Sequence, residues 1–353
     1  MLIENNPQAA ARVLPQNPVV AIVGATGAVG AVLVECLEAR NFPLAQLRLL
    51  ASARSAGKTI SFRGDALVIE ELTEDSFAGV DIALFSAGSG LSKKFAPLAI
   101  AAGAVVVDNS SAFRMEDNVP LIVPEVNADA LPQHHGVVAN PNCVAAIATV
   151  ALAPLRAHRQ IKRLQMSTYQ AASGAGVEAM EELNDSTAAA LRGEEFEPKV
   201  LPHPYAFNFF SHNADIEPDT GYNGEESKVI AEIRRIFDQA ELPVGVTCIR
   251  VPVPRAHGMA ISVELDEALS PELARELLSN APGVKVVDDQ ERNYFPMPVD
   301  ASGQDDVLVG RIRTDLGDPS GKSLALFVVG DQLLKGAALN AVQIAEALMA
   351  KDI

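Results

Sequence analysis

Short runs of consecutive apolar residues alternate with helical stretches along the first third of the chain. Residues 19–23 form the first such run, and the stretch at about 28–40 carries apolar residues at helical spacing. Similar runs follow at residues 47–51, 80–85, 104–107 and 137–139. A continuous apolar run is typical of a strand that is buried on both faces. The alternation therefore predicts an α/β fold with a doubly wound parallel sheet over about residues 18–142.

The pattern changes after about residue 160, where the strands become longer and more polar. Strands are predicted at residues 161–170, 247–253 and 259–265, and helices at about 224–240 and 270–280. This pattern is typical of an α+β domain whose mainly antiparallel sheet is half covered by helices. An Ala-rich helix at 333–348 is long enough to return to the first domain, but its periodicity leaves its destination open.

Composition and charge exclude several classes of protein. The chain has 353 residues, of which 48% are hydrophobic and 21% charged. These values exclude a disordered, collagen-like or coiled-coil protein. The net charge of −17 opposes binding to nucleic acid or to an anionic membrane. The longest apolar run, at 95–107, is interrupted by Pro97 and Gly103 and is too short to span a membrane.

The amino-terminal segment and the cysteines indicate the cellular compartment of the protein. Residues 1–17 have no basic start followed by an apolar stretch, so we expect a loose extension and not a signal peptide. The 3 cysteines are an odd number without the spacing of metal ligands. They predict a cytoplasmic protein with reduced thiols, without a disulfide framework or a metal site.

Three glycines follow the first predicted strand directly. In such a strand–turn–helix context, glycines allow a tight turn, and the helix N-terminus binds a pyrophosphate. An ordinary glycine-rich turn is the alternative, and the context favours a Rossmann-type dinucleotide site over it. The candidate cofactor contacts are Gly24, Thr26, Gly27, Ala28, Val29 and Gly30.

The residues around the end of the second predicted strand indicate which dinucleotide binds. An NAD site would place an acidic residue about 20 residues beyond the glycines, where it binds the ribose 2′-hydroxyl. No acidic residue occurs between Glu38 and Asp65. The window instead contains Arg48, Ser52, Arg54, Ser55, Lys58 and Arg63. Because this basic window suits a 2′-phosphate, we predict NADP, with Arg54 and Ser55 as its contacts; whether NAD is also accepted stays open.

Cys143 is the candidate nucleophile. Ligands of open parallel sheets bind beyond the carboxyl ends of the strands, and Cys143 follows a short strand and a Pro turn at the start of a predicted helix. The helix dipole favours the thiolate at that position. A thiolate beside a nicotinamide suggests addition to an aldehyde, hydride transfer and passage of the thioester to an acceptor. Cys36 and Cys248 lie inside a helix and a strand and are interpreted as inert core residues.

His257 is the candidate base, because it closely follows a strand that carries Arg250. A strand-interior arginine needs an anionic partner, so Arg250 indicates either a substrate carboxylate or an internal salt bridge. The other histidines lie in polar or loop-like contexts and are predicted at the surface; they are His134, His135, His158, His203 and His212.

Eight separated motifs together resemble those of the aspartate-β-semialdehyde dehydrogenase family, over nearly the whole chain from Val19. They are GATGAVG at 24–30, SARSAGK at 52–58, SSAFR at 110–114, PNC at 141–143, STYQAASGAG at 167–176, EESK at 225–228, RVPVPRAH at 250–257 and DQLLKGAALN at 331–340. The resemblance implies a homodimer whose NADP-binding domain comprises residues 18–142 and 332–353. Residues 143–331 would then form the catalytic and dimerisation domain.

The resemblance also implies roles for individual residues. Cys143 matches the acyl-thioester nucleophile, His257 the acid/base group, and Gln170 the residue that orients the substrate. The other matches concern binding: Arg250 and Glu225 for the amino-acid end of the substrate, Arg114 and Lys228 for phosphate, Asn142 beside the nucleophile for substrate, and Ser173, Gly174 and Gln332 for the cofactor.

The segment that carries Glu225 also has a local prediction of its own. Asn223 is expected to cap a helix, with Glu226 three residues into it. Glu225 and Lys228 would lie on one face of that helix, and by spacing alone they indicate a solvated ion pair.

The activity implied by the resemblance is NADP- and phosphate-dependent interconversion of L-aspartyl 4-phosphate and L-aspartate 4-semialdehyde. This step would serve lysine, threonine, methionine and diaminopimelate biosynthesis. Two alternatives stay open: a related acyl-phosphate reductase such as the N-acetyl-glutamyl phosphate enzyme, and a catalytically silent paralogue that binds NADP. Val144 and Met259 depart from the family pattern beside the nucleophile and the catalytic histidine.

Overall fold

The computed structural model describes residues 13–350, so most of the predicted amino-terminal extension lies outside the described residues. The chain forms two compact units. Of the described residues, those up to Asn142 and those from Ala337 onward form one unit, and the continuous segment Cys143–Gly336 forms the other.

The described residues form fourteen strands and nine α-helices. In chain order these are β1 (Val19–Val23), α1 (Ala28–Ala39), β2 (Gln46–Ala51), β3 (Thr59–Phe62), β4 (Asp65–Glu71), β5 (Ile82–Phe85), α2 (Ser89–Ala101), β6 (Val105–Asp108), α3 (Pro124–Asn127), β7 (Val137–Ala139), α4 (Cys143–His158), β8 (Ile161–Gln170), α5 (Val177–Arg192), β9 (Phe210–Ser211), α6 (Gly224–Ile236), β10 (Val244–Arg250), β11 (His257–Leu265), α7 (Pro271–Ser279), β12 (Val284–Val286), α8 (Pro298–Ala301), β13 (Val307–Thr314), β14 (Ser323–Gly330) and α9 (Leu339–Met349). Short 3₁₀ helices occupy Ala128–Gln133 and Ala172–Ala175, and a π-helical turn, Leu334–Ala338, leads into α9. None of the helices in residues 13–350 has both the length and the apolar character needed to cross a membrane.

A seven-stranded sheet with the order β3-β4-β2-β1-β5-β6-β7 forms the first unit. All neighbouring strands are parallel except the β3–β4 hairpin at one edge. Strands β5, β6 and β7 are buried along their whole length, as expected of a parallel sheet covered on both faces. The predicted parallel α/β fold is therefore confirmed. The β3–β4 hairpin was not predicted, because it is mostly exposed and lacks a continuous apolar run.

The carboxyl-terminal helix α9, whose destination the sequence left open, packs in the first unit against α1. Its Asn340 donates hydrogen bonds from Nδ2 to the Ile122 carbonyl (2.9 Å) and to Asn140 Oδ1 (2.6 Å). Near its end, Glu346 accepts two hydrogen bonds of 2.7 Å from Arg40. The last helix thus completes a unit that begins at the other end of the chain.

A second seven-stranded sheet, with the order β12-β13-β14-β11-β8-β10-β9, forms the core of the second unit. Four of its neighbouring pairs are antiparallel, while β8–β10 and β12–β13 are parallel. The predicted mainly antiparallel sheet is confirmed. Along β11, Met259, Ile261, Val263 and Leu265 are all buried, as their alternation predicted. Helix α4 packs against α6, α7 and β14, and α6 packs against β10.

Candidate active site

The loop between β1 and α1 has the backbone shape that a dinucleotide site requires. Gly24 has a φ of +88°, in the left-handed region that favours glycine. A Cβ on Gly30 would lie 2.1 Å from the Gly24 carbonyl oxygen, so a side chain does not fit there. No side-chain hydrogen bond caps α1 at Gly27, which leaves first-turn N–H groups for a phosphate. The remaining loop positions are exposed or half-buried; they are Thr26, Gly27, Ala28 and Val29.

Two of the cations in the basic window are used inside the first unit. Arg48 forms a two-bond ion pair with Glu70 at 2.6 and 3.1 Å, and this hydrogen bonding lowers the pKa of Glu70. Arg63 donates from Nη2 to the Phe42 carbonyl (2.7 Å). These contacts give Arg48 and Arg63 roles in packing the unit.

The other two cations of the window have a different setting. Arg54 and Lys58 are exposed in the turn after β2, and neither has an ion-pair partner within residues 13–350. Ser55 is buried between them and donates its N–H to the Ser52 carbonyl (2.8 Å), which closes the turn. The glycine loop and this turn follow neighbouring strands of one sheet, so the residues present fit a dinucleotide.

Arg114 is held in the first unit by main-chain carbonyls. Its side chain is largely buried, with Nε donating to the Asn140 carbonyl (2.9 Å) and Nη2 to the Asn109 carbonyl (2.7 Å). Asn140 Nδ2 donates in turn to Asn109 Oδ1 (2.8 Å), and Asn340 of α9 donates to Asn140. The arrangement fixes the orientation of a guanidinium whose positive charge suits an anion.

Three of the predicted residues meet at one edge of the second sheet. Gln170 ends β8, Arg250 ends β10 and His257 begins β11. Arg250 is the register partner of Gln170, and Gly258 lies opposite Tyr169 in the antiparallel pair, so the three side chains belong to adjacent strands. Each is at most 2% exposed.

The ring of His257 has a defined tautomer. Its Nδ1 accepts a hydrogen bond from the Ala171 N–H (3.0 Å), so the hydrogen of the neutral ring is on Nε2. This Nε2 is buried and has no partner among the described residues. Burial, reinforced by the charge of Arg250, holds the pKa of His257 well below its ordinary value. A neutral ring therefore offers one unpartnered N–H at this edge.

Arg250 is buried without a carboxylate. Nη1 donates to the Ala171 carbonyl (3.0 Å), and Nη2 donates to Nε2 of His212 (2.8 Å). Its Nε has no partner, and no carboxylate in residues 13–350 lies within ion-pair distance. The internal salt bridge, which was one of the two interpretations of this residue, is therefore not formed.

The prediction that His212 lies at the surface is wrong. The ring is half-buried against Arg250, because the segment around β9 pairs with β10. Burial and then the charge of Arg250 lower the pKa of His212 to about 4. His134 is buried as well, and its Nδ1 accepts from the Gly136 N–H (3.1 Å). Local polarity misled the prediction for both histidines, and the burial of His212 depends on a distant strand, β10.

Glu225 is buried in the first turn of α6. Its Oε1 accepts a hydrogen bond from Gln170 Nε2 (3.2 Å), whereas Lys228 is exposed. The spacing-based interpretation as a solvated ion pair is wrong for Glu225, because the helix turns this residue towards the end of β8. The predicted cap is confirmed: Asn223 Oδ1 accepts from the Glu226 N–H (3.0 Å), and Glu226 accepts from the Asn223 N–H.

Cys143 is the first residue of α4, as the sequence predicted. Asn142, which directly precedes it, is 7% exposed. One turn further, Ile147 packs against Gly330, where a Cβ would lie 2.8 Å from its side chain. Gly330 is the register partner of His257. The first turn of α4 therefore lies at the same sheet edge as His257.

The three residues matched to cofactor contacts in the second unit lie together around His257. Gln332 Oε1 accepts from the Ala256 N–H (2.8 Å), and its Nε2 donates to Ser173 Oγ. Gly174 is exposed, and a Cβ there would lie 3.2 Å from His257 Nε2 and 3.3 Å from Arg250 Nη1. Because Gly174 has no side chain, the space beside His257 and Arg250 stays open.

The structure brings Gln170, Glu225, Arg250 and His257 together in the second unit, while Arg114 and the glycine loop belong to the first. Sequence reasoning missed His212 and Thr168. Thr168 is fully buried and donates from Oγ1 to Gln170 Oε1 (3.0 Å). Its position two residues before Gln170 on one strand face was the available signal.

Comparison with known proteins identifies related chains. A model of the semialdehyde dehydrogenase NAD-binding domain matches residues 19–134, and a model of the semialdehyde dehydrogenase dimerisation domain matches residues 152–335. The aspartate-semialdehyde dehydrogenase of Synechocystis is 52% identical over 95% of this chain and 98% of its own length. That of Bacillus subtilis is 47% identical over 93% and 96%.

A solved structure also belongs to the family of these relatives. The crystal structure of aspartate semialdehyde dehydrogenase II from Vibrio cholerae, complexed with ASA, is 41% identical. It superposes with a TM-score of 0.92 and covers 96% of this chain and 100% of that one. The resemblance found in the motifs is confirmed, and the chain belongs to the aspartate-semialdehyde dehydrogenase family.

Proposed function

We propose that this protein interconverts L-aspartate 4-semialdehyde and L-aspartyl 4-phosphate, with NADP and inorganic phosphate, through a thioester on Cys143. The observation that carries the proposal is the edge of the second sheet. There a buried arginine without a carboxylate lies beside a neutral histidine with an unpartnered N–H. A substrate carboxylate and a carbonyl oxygen would satisfy these two groups.

Cys143 would attack the aldehyde carbon, since the first turn of a helix stabilises its thiolate. The carbonyl oxygen becomes an alkoxide, and the Nε2–H of His257 donates a hydrogen bond to it. Proton exchange at that oxygen passes through the same nitrogen. The chemistry that NADP would supply when bound is acceptance of a hydride, which oxidises the substrate to the acyl level. Phosphate then displaces the Cys143 thiolate, giving the acyl phosphate, and the reverse sequence runs in biosynthesis.

The amino-acid end of the substrate would bind between Arg250 and Glu225. Arg250 supplies its positive charge to the α-carboxylate, while Glu225 supplies a buried negative charge to the ammonium. An N-acetylated substrate has no ammonium, so it offers no positive charge for Glu225 to bind. This argument disfavours the N-acetyl-glutamyl phosphate reaction. Gln170, bonded to Glu225, would orient the substrate beside Cys143.

Phosphate would be bound by Arg114 and Lys228. The guanidinium of Arg114 is oriented by two carbonyls, and Lys228 is exposed, without an ion-pair partner within residues 13–350. The preference for NADP rests on Arg54, with Ser55 in the same turn. Of the four cations in the basic window, only Arg54 and Lys58 are not engaged inside the protein within residues 13–350.

Residues 18–142 with 332–353 would bind NADP, and residues 143–331 would carry catalysis and dimerisation. The outer face of the second sheet is a suitable surface for a second copy. It presents Tyr169, 37% exposed, with Ile249, Ala260 and Phe327 half-buried. The pathway implied is that of lysine, threonine, methionine and diaminopimelate synthesis.

The direct test follows NADPH formation at 340 nm from L-aspartate 4-semialdehyde, NADP and phosphate. We expect turnover that requires phosphate and is lost in Cys143→Ala, a variant that should still bind NADP. Turnover without phosphate would contradict the acyl acceptor, and full activity of Cys143→Ala would contradict the thioester. Bound NADP without any turnover would indicate a silent paralogue.

A further inference from the structure

A chain of hydrogen bonds runs through the core of the second unit and ends at Glu225. The fully buried Thr168 donates from Oγ1 to Gln170 Oε1 (3.0 Å), and Gln170 Nε2 donates to Glu225 Oε1 (3.2 Å). Three side chains from two elements are thus linked without an intervening main-chain group.

The donors in this chain all point in one direction. The Thr168 hydroxyl donates to Gln170, because Gln170 Oε1 has no hydrogen of its own. Hydrogen bonds that follow one another in this way polarise and strengthen each other.

The direction of the chain determines which end of the Gln170 amide faces which neighbour. If the amide turned over, its oxygen would face the Glu225 carboxylate and its NH₂ group would face the Thr168 hydroxyl. The first contact is repulsive, and in the second the fully buried Thr168 hydroxyl loses Gln170 Oε1 as the acceptor for its hydrogen. In the observed orientation, one N–H of Gln170 is bonded to Glu225, and the second remains for another acceptor.

We propose that Thr168 is a positioning residue, which fixes the amide of Gln170 so that its second N–H points to a substrate oxygen. The inference rests on the proposed function, since it assumes that Gln170 orients the substrate. Thr168 itself touches no reacting atom. A turned amide would present a lone pair to that oxygen and would misplace the substrate relative to Cys143.

Thr168→Val tests this, because it removes the hydroxyl and keeps the shape of the side chain. We expect kcat/KM for L-aspartate 4-semialdehyde to fall about tenfold, or about 1.4 kcal/mol, mainly in kcat. Thr168→Ser should restore most of the activity. Thr168→Ala removes the same hydroxyl and replaces Thr168→Val in the test if the valine variant does not fold.

Thr149→Val is the matched control. Thr149 is also fully buried, but its hydroxyl donates to the Ala145 carbonyl (2.7 Å) of its own helix. The control should lose thermal stability without a comparable loss of kcat. The inference is overturned if Thr168→Val keeps kcat/KM within twofold of the wild type, if Thr168→Ser fails to restore it, or if Thr149→Val loses as much.

A double-mutant cycle on thermal midpoints separates this inference from the proposed function. We expect the shift of the Thr168→Val/Gln170→Ala variant to be smaller than the sum of the two single shifts, because both changes break one bond. Additive shifts overturn the inference. If the wild type shows no turnover but the thermal shifts of the variants are still non-additive, the proposed function is refuted. The inferred orientation of the Gln170 amide is then still supported.

Discussion

Gly336 leaves no room for a side chain beside Cys143. A Cβ built there would lie 2.8 Å from Cys143 Cβ and 3.2 Å from Cys143 Cα. Two carbon atoms make ordinary contact at about 3.5–4.0 Å, so Gly336→Ala requires a displacement of nearly 1 Å. Both residues belong to the second unit, and Cys143 Sγ is attached to the atom that must move. The variant therefore shifts the proposed nucleophile directly.

A misplacement of about 1 Å at a reacting group costs on the order of 100-fold in rate. We expect kcat/KM of Gly336→Ala to fall by about that factor, or about 2.7 kcal/mol, in the phosphate-dependent assay at 340 nm. The rate of Cys143 alkylation by iodoacetamide should change as well, and it can be read selectively because Cys36 and Cys248 are buried. Gly90→Ala is the control, since a Cβ there meets nothing within 4 Å. Wild-type kcat/KM in Gly336→Ala would refute the reasoning.

The remaining predictions concern the cofactor and pH. Arg54→Ala should raise KM for NADP about tenfold and leave KM for NAD unchanged, since one exposed charge near the 2′-phosphate is removed; equal changes for both cofactors, or the same effect in Arg63→Ala, would contradict this. Folded His134, His212 and His257 stay neutral where the unfolded chain protonates near pH 6.5, so the thermal midpoint should fall as pH drops below about 6.5. For His134, a pKa lowered to about 4 corresponds to about 3 kcal/mol, and a midpoint constant between pH 7.5 and 5 would contradict it.

The strands at the centre of both sheets were predictable because the burial of a strand is reflected in its own pattern of apolar residues. A strand covered on both faces is continuously apolar, as in β1, and a strand covered on one face alternates, as in β11. The edge hairpin β3–β4 has no such pattern of apolar residues, because many of its side chains face solvent. The helix cap at Asn223 was predictable for the same reason as the strands, since its partners lie within three residues.

The contacts of the candidate site were less predictable because they join distant residues. Arg250 and His212 are 38 positions apart, and Gln170 and Glu225 are 55 positions apart. Local polarity placed His212 at the surface, and helical spacing alone would have paired Glu225 with Lys228. Only the motifs led to the prediction that Glu225 contacts the substrate, since a motif carries information about the folded site that spacing does not.

The position of α9 has a consequence for the order in which the protein forms during synthesis. The first unit needs α9, whose Asn340 bonds to Asn140, the residue that orients Arg114. Roughly 200 residues separate Asn142 from Leu339, and a ribosome needs about 10 to 40 s to add them at about 5–20 residues per second. The second unit, which is continuous, has all its residues before the first unit is complete. A nascent chain therefore holds an unfinished nucleotide fold for most of its synthesis, and its cofactor can contribute stability only after the last helix has left the ribosome.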